Sequence, residues 1–262
     1  MHLLTRSVRF AINDGPSPAG SNGYAGNPPI SGFGRWFELL VTCRGKIDQK
    51  TGYLIDIKTV DAHVRRDAVP LIQSSIASGD DPFRTLAPVV AVLSGRLPAA
   101  LERVRLRLTP YHDIEMASNQ TTHALIRQRF DFSAAHRLHS PALSDAENQK
   151  LYGKCNNPRG HGHNYVVQPV VKVRIDAVPA FSLRDLESIT DDAVVKRFDH
   201  KHLNEDTDDF SIERGGVLPS VENIARICFE RLAPVIAAHP ASPSLERVTV
   251  WETDRTSATY PG

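Results

Sequence analysis

Cysteine is scarce and odd in number: Cys43, Cys155 and Cys228 are the three in 262 residues. An odd count at wide spacing argues against a disulfide framework and for a reducing compartment. Long apolar runs are missing as well. Nowhere do about 18 apolar residues follow one another, so no membrane-spanning helix is expected. An excess of charge of one sign is also absent, with 31 Lys and Arg against 30 Asp and Glu. A net charge of +1 carries no electrostatic signature of a nucleic-acid binder or a polybasic membrane anchor. The opening Met1-His2-Leu3-Leu4-Thr5-Arg6 has no basic segment followed by an apolar stretch, so no signal peptide is expected and the expected location is cytoplasmic.

What is present is an ordinary globular composition, 41% hydrophobic and 23% charged, in a chain long enough for two cores. Eleven His stand out against few aromatics and hint at metal or acid–base chemistry. The chain also resembles itself. Leu101-Glu102-Arg103-Val104 recurs as Leu245-Glu246-Arg247-Val248, each followed by an alternating strand. Arg35 to Leu40, running to Ile47-Asp48, has a counterpart in His163 to Val167, running to Ile175-Asp176. Arg9-Phe10 is matched with Arg129-Phe130. Pairs in the same order predict a tandem duplication, with domains at 1–118 and 124–262.

Each half reads strand, strand, helix, helix, strand, strand. In the second half, Ile126 to Ser133 alternates as a half-buried strand, and Asn164 to Val173 is a β-branched run. Ser182 caps one helix. Pro219-Ser220 opens another, whose Val221, Ile224, Ala225, Cys228 and Leu232 share one stripe. Leu245 to Glu252 and Ser257 to Tyr260 close the unit as strands. The predicted class is α+β, an antiparallel sheet with two helices packed on one face in each half. Asp14 to Gly34, rich in Gly, Pro, Ser and Asn, reads as a long hairpin connection, and Asp113 to His123 as the linker between halves.

The chemistry gathers in the second half. His161 and His163 sit at i and i+2 of an extended chain, so both imidazoles point to one face. With His136 from a neighbouring strand they can offer three nitrogens to Zn2+, leaving an open position as in a catalytic site. Cys155 precedes the pair. It reads either as a thiolate base or as the fourth ligand of a closed structural zinc. Cys43 and Cys228 lie on apolar faces and read as core. In Asp199-His200 a carboxylate can tune an imidazole near neutral pH, or the pair is a solvated helix end. Glu252 interrupts an apolar strand, and a carboxylate there needs a partner, whether a ligand with N–H donors or an Arg.

Phe132 to Tyr165, with the run HRLHSPALSDAENQKLYGKCNNPRGHGHNY, closely resembles the 6-pyruvoyl-tetrahydropterin synthase family. So do Asp199 to Asn204 (DHKHLN), Val221 to Asn223 (VEN) and Trp251 to Asp254 (WETD), in order and at compatible spacing. The resemblance implies tandem tunnelling-fold domains, a zinc held by His136, His161 and His163, and Cys155 as the base. It implies Asp199 and His200 as a proton-relay pair, Glu252 as the anchor of a pterin ring, and Glu222 as a secondary ligand. The substrate it implies is 7,8-dihydroneopterin triphosphate, and the reaction a carbon–oxygen lyase step with loss of triphosphate. It implies a homo-oligomer with sites at subunit interfaces, and no nucleic-acid or membrane partner is expected. The same residues are compatible with 6-carboxytetrahydropterin synthase of the queuosine pathway, or with a pterin-binding zinc protein without turnover.

The halves differ where the chemistry lies. Phe33-Gly34-Arg35 stands in place of His161-Gly162-His163, and Leu108 in place of Glu252. The first half keeps Gly45-Lys46-Ile47-Asp48 through Asp56, which is degenerate over Arg174 to Ser182. One active and one degenerate copy are expected, with one zinc per chain.

Overall fold

The computed structural model describes residues 1–16 and 26–262. The middle of the expected Asp14 to Gly34 connection, 17–25, lies outside the described residues. The chain forms two compact units, Met1–Ile126 with Val173–Ala180, and Arg127–Lys172 with Phe181–Gly262.

In the first unit β1 (His2–Ile12) and β2 (Arg35–Gly45) pair antiparallel, followed by α1 (Ile57–His63), α2 (Val69–Ser78) and α3 (Pro82–Arg96). β3 (Ala100–Arg107), β4 (His112–Ala117) and β5 (His123–Gln128) complete the sheet in the order β1-β2-β3-β4-β5. Alternation explains the layering. Val8 and Phe10, then Phe37, Leu39, Val41 and Cys43, are buried on one face, where α1 packs on β1, and α3 on β3 and β4. Asp81 caps α3 through the Phe83 amide.

The second unit starts with β6 (Phe130–His136), then α4 (Asp145–Tyr152) and a 3-10 turn Gly153–Asn156, and β7 (His161–Arg174). α5 (Leu183–Thr190), α6 (Lys196–Phe198), β8 (Lys201–His202), α7 (Leu203–Asp206), α8 (Val221–Ala237), β9 (Ser244–Thr253) and β10 (Thr256–Tyr260) follow. The order within this unit is β8-β6-β7-β9-β10, with only the short β6–β8 pairing parallel. Ser182 caps α5 in a capping box and Ser220 caps α8. The stripe Val221, Ile224, Ala225, Cys228, Leu232 and Ile236 is buried, and α8 packs on β9 and β10.

The two units are built alike beyond their element order. A one-turn π-helix follows α1 in the first unit, at Val64–Ala68, and α5 in the second, at Asp191–Val195. A bulge breaks the ladder between Thr42 and Cys43 opposite Arg103 and Leu101, and again between Val170 and Val171 opposite Arg247 and Leu245. Both bulges pass over the Glu of a Leu-Glu-Arg-Val run, so the duplication is visible in the ladders themselves.

Three expectations are corrected. Asp113 to His123 is not a plain linker, because β4 runs through its first part, to Ala117. Ile114 and Met116 are fully buried, and the intervening carboxylates that disguise the strand face Arg side chains of β3, with Glu115 3.0 Å from Arg105. Ile126 to Ser133 is not one strand but the end of β5 and the start of β6, parted at Arg129. The repeat partner of Arg9-Phe10 is not Arg129-Phe130. Phe10 lies opposite Phe37 and Phe132 opposite Tyr165, and both pairs stack, at 5.7 Å and 26° and at 5.2 Å and 19°.

Candidate metal centre

Period-2 alternation places Phe132, Ala134 and His136 on the buried face of β6. His136 ends that strand fully enclosed, and a buried imidazole needs a partner. Its Nδ1 lies 2.7 Å from the Pro219 carbonyl. A carbonyl can only accept, so Nδ1 carries the proton and the lone pair of the neutral ring sits on Nε2. The chain returns through Gly160, whose left-handed φ of 69° and close approach suit only glycine. A Cβ there would meet the His136 carbonyl oxygen at 2.8 Å and His202 Nε2 at 2.5 Å. β7 then begins with His161 directly opposite His136, and His163 opposite Ala134.

The result is one cluster. A ring nitrogen from each of His136, His161 and His163 lies within 4.8 Å of the others, and Nε2 of His136 is 3.1 Å from Nε2 of His161. Tetrahedral bonds of about 2.0–2.1 Å would space donors about 3.3 Å apart. Burial above all, and then the neighbouring imidazoles, lower the His136 pKa to about 4 against the pull of the Pro219 hydrogen bond. Burial and His163 lower that of His161. Neutral rings with convergent lone pairs are what a divalent cation requires. His161 Nδ1 and His163 Nε2 are buried without a hydrogen-bond partner, so the donor set fits a metal.

Glu252, near the end of β9, brings its Oε1 to 3.6 Å from Nε2 of both His136 and His163. The carboxylate expected to anchor a ring therefore borders the metal position itself. Cys155 lies in the 3-10 turn, half-buried, its carbonyl accepting from the Leu138 amide at 2.8 Å. Arg137 grips the next residue, Asn156, through the side-chain oxygen at 3.1 Å. Burial first, and then the charge of Glu252, push the Cys155 thiol up. Cys155 is not among the donor atoms that converge within 4.8 Å among the described residues. Three histidine nitrogens would leave a tetrahedral ion one position for a further ligand.

Asp199 and His200 stand at the edge of the sheet. The Asp199 carboxylate accepts from the Ser133 amide at 2.8 Å and from His200 Nδ1 at 2.7 Å, which together hold its pKa below the usual carboxylate value. His200 adopts a left-handed φ of 55°, with its side chain 83% exposed. It shares a cavity of about 470 Å³ with His163, Asn164 and His202. A second cavity of about 510 Å³ opens on His161 from the Lys154 to Pro158 side. Glu222 is exposed in the first turn of α8, three residues beyond the Pro219 carbonyl that fixes His136.

A family model described as 6-pyruvoyl tetrahydropterin synthase matches residues 125–262, the whole of this constellation. The chain belongs to that family. The human 6-pyruvoyl tetrahydrobiopterin synthase is 40% identical over 141 residues, covering 53% of this chain and 92% of its own. The Poecilia reticulata enzyme of the same name is 41% identical over 133 residues, 50% of this chain and 85% of its own. The solved structure of the Caenorhabditis elegans 6-pyruvoyl tetrahydropterin synthase is 37% identical, covers 53% of this chain and 96% of its own, and has a TM-score of 0.47. In this synthase-family chain, two groups beside the cluster were not singled out by the sequence. The Pro219 carbonyl is a backbone group and invisible to sequence. Tyr165 had a faint signal: it is the Tyr where the first half has Phe37.

Proposed function

We propose that the second unit is a zinc-dependent lyase of the 6-pyruvoyl-tetrahydropterin synthase type, acting on 7,8-dihydroneopterin triphosphate with loss of triphosphate. The observation that carries the reading is the convergence of three imidazoles, one locked in its tautomer by Pro219, beside a carboxylate. His136, His161 and His163 hold the metal. Zinc bound there supplies Lewis acidity to the hydroxyls of the substrate side chain.

The remaining residues bind the substrate and move protons. Glu252 accepts hydrogen bonds from pterin N–H and amino groups, which orients the ring and delivers its side chain to the metal position. Glu222 is a secondary acceptor. Cys155 removes a proton from the side chain. Its thiol is pushed up in the metal-free site, so its basicity depends on a cation to favour the thiolate. The Asp199–His200 pair returns or relays a proton, with Asp199 orienting the ring through Nδ1. An imidazole this exposed, on a strained backbone at a sheet edge, suits a site completed by another copy, and the active protein is a homo-oligomer. Members are soluble enzymes, and no helix among the described residues is long and apolar enough to cross a membrane.

Product analysis after incubation with 7,8-dihydroneopterin triphosphate tests the reading. A pyruvoyl product that disappears on chelation and returns with Zn2+ is expected. Intact substrate in the presence of stoichiometric zinc would refute it.

A further inference from the structure

Tyr165 carries a hydroxyl that the fold does not need. The residue is fully enclosed, its ring stacks on Phe132 at 5.2 Å, and its hydroxyl is buried without a hydrogen-bond partner. Leaving such a group unpaired in the interior is destabilising, so a purely structural aromatic here would be Phe. The first unit supplies that control. Phe37 occupies the equivalent position, opposite Phe10 in register and stacked on it. The packing is thus achieved without a hydroxyl, in the copy that has Phe33 and Arg35 in place of the His pair.

The hydroxyl belongs to the same neighbourhood as the cluster. Tyr165 follows His163 by two residues on the same face of β7, and its ring meets His163 and His136 edge-on at 5.5 and 6.1 Å. A donor hydrogen therefore sits unspent on a ring that packs against two of the three imidazoles.

We infer that the Tyr165 hydroxyl is a hydrogen-bond donor to the oxygen that a ligand presents at the position left open by His136, His161 and His163. Under the reading above, that oxygen is a side-chain hydroxyl of the substrate. The inference rests on the metal-site part of that reading and not on the identity of the pterin. A phenol held there steadies negative charge developing on the oxygen as Cys155 withdraws the neighbouring proton, with no net proton transfer required of Tyr165.

The test uses the full chain loaded with Co2+, as wild type and as Tyr165→Phe, titrated with acetohydroxamate, a small oxygen chelator, and followed by the visible cobalt band. Equal cobalt content, an unchanged or slightly raised melting temperature, and about tenfold weaker acetohydroxamate binding in the variant are expected. Equal affinities overturn the inference, and so does loss of cobalt from the variant, which would make the hydroxyl a support for the metal site. Wild-type protein that takes up no cobalt overturns it together with the metal reading. Turnover of dihydroneopterin triphosphate is measured separately. If the acetohydroxamate difference is present but the wild type forms no product, the lyase reading fails and the role of Tyr165 stands.

Discussion

Phe10 with Phe37, and Phe132 with Tyr165, hold the same places in two sheets of the same order, each broken by a bulge at the same point of its ladder. Around these shared stacks the units diverge. Across the first sheet runs a row of opposed charges, Arg9, Glu38, Arg107 and Asp113. Its buried Glu38 accepts from Arg9 at 3.1 Å and from Arg107. The matching row of the second sheet is Asp131, Val166, Trp251 and Ser257. Farther along, Arg35 and Leu108 stand in one unit where His163 and Glu252 stand in the other. Folding requires the alternation and the bulge, which both copies keep. Metal chemistry requires a few side chains at the strand ends, which only one copy has.

The two units separate most clearly when a ligand is removed from one copy and its counterpart from the other. His161→Ala should lose both bound metal and turnover, whereas Phe33→Ala, at a fully exposed position, should change neither. Metal analysis of purified wild type should give one zinc per chain, and two tightly bound ions would show that the first unit is not degenerate. Cys155→Ala should keep the metal while turnover falls about 10²–10⁴-fold, the range for loss of a general base. Metal loss in that variant would instead make Cys155 a ligand.

Glu252→Gln separates two roles that the structure brings close together. Pterin affinity by titration should weaken about ten- to a hundredfold with metal content intact, since one acceptor becomes a donor facing N–H groups. A fall in zinc content would place the carboxylate in the coordination sphere, as its 3.6 Å distances to two imidazoles allow. The smallest effect concerns pH. His136 has a pKa of about 4 in the folded protein against 6.5 for the free side chain, so the unfolded chain binds the extra proton first. The stability that this difference contributes is complete above pH 6.5 and is lost as pH falls toward about 4. Metal-free protein should show this as a declining melting temperature over that window, and His136→Gln should flatten the decline.

Much of the site was legible from sequence because its residues cluster along the chain. His161 and His163 share a face by the geometry of any strand, and the stripe of α8 follows from its 3.6-residue period. The pairing of Arg9-Phe10 with Arg129-Phe130 shows where such reading stops. A shift of two residues returns every side chain to the same face, so alternation alone cannot tell Phe130 from Phe132 as the partner of Phe10; cross-strand pairing can. β4 was hidden for a related reason. Asp113 and Glu115 look like a loop until the Arg side chains opposite them are known.

Residue type, periodicity and spacing determined the class of fold, its repetition, and which half could bind a metal, because these depend on local geometry. Tertiary structure alone decided three further matters: the tautomer of His136 set by the Pro219 carbonyl, the contact of Glu252 with two imidazoles, and the unpaired hydroxyl of Tyr165. Each depends on groups far apart in the chain meeting where burial limits each donor or acceptor to the partners that the fold supplies.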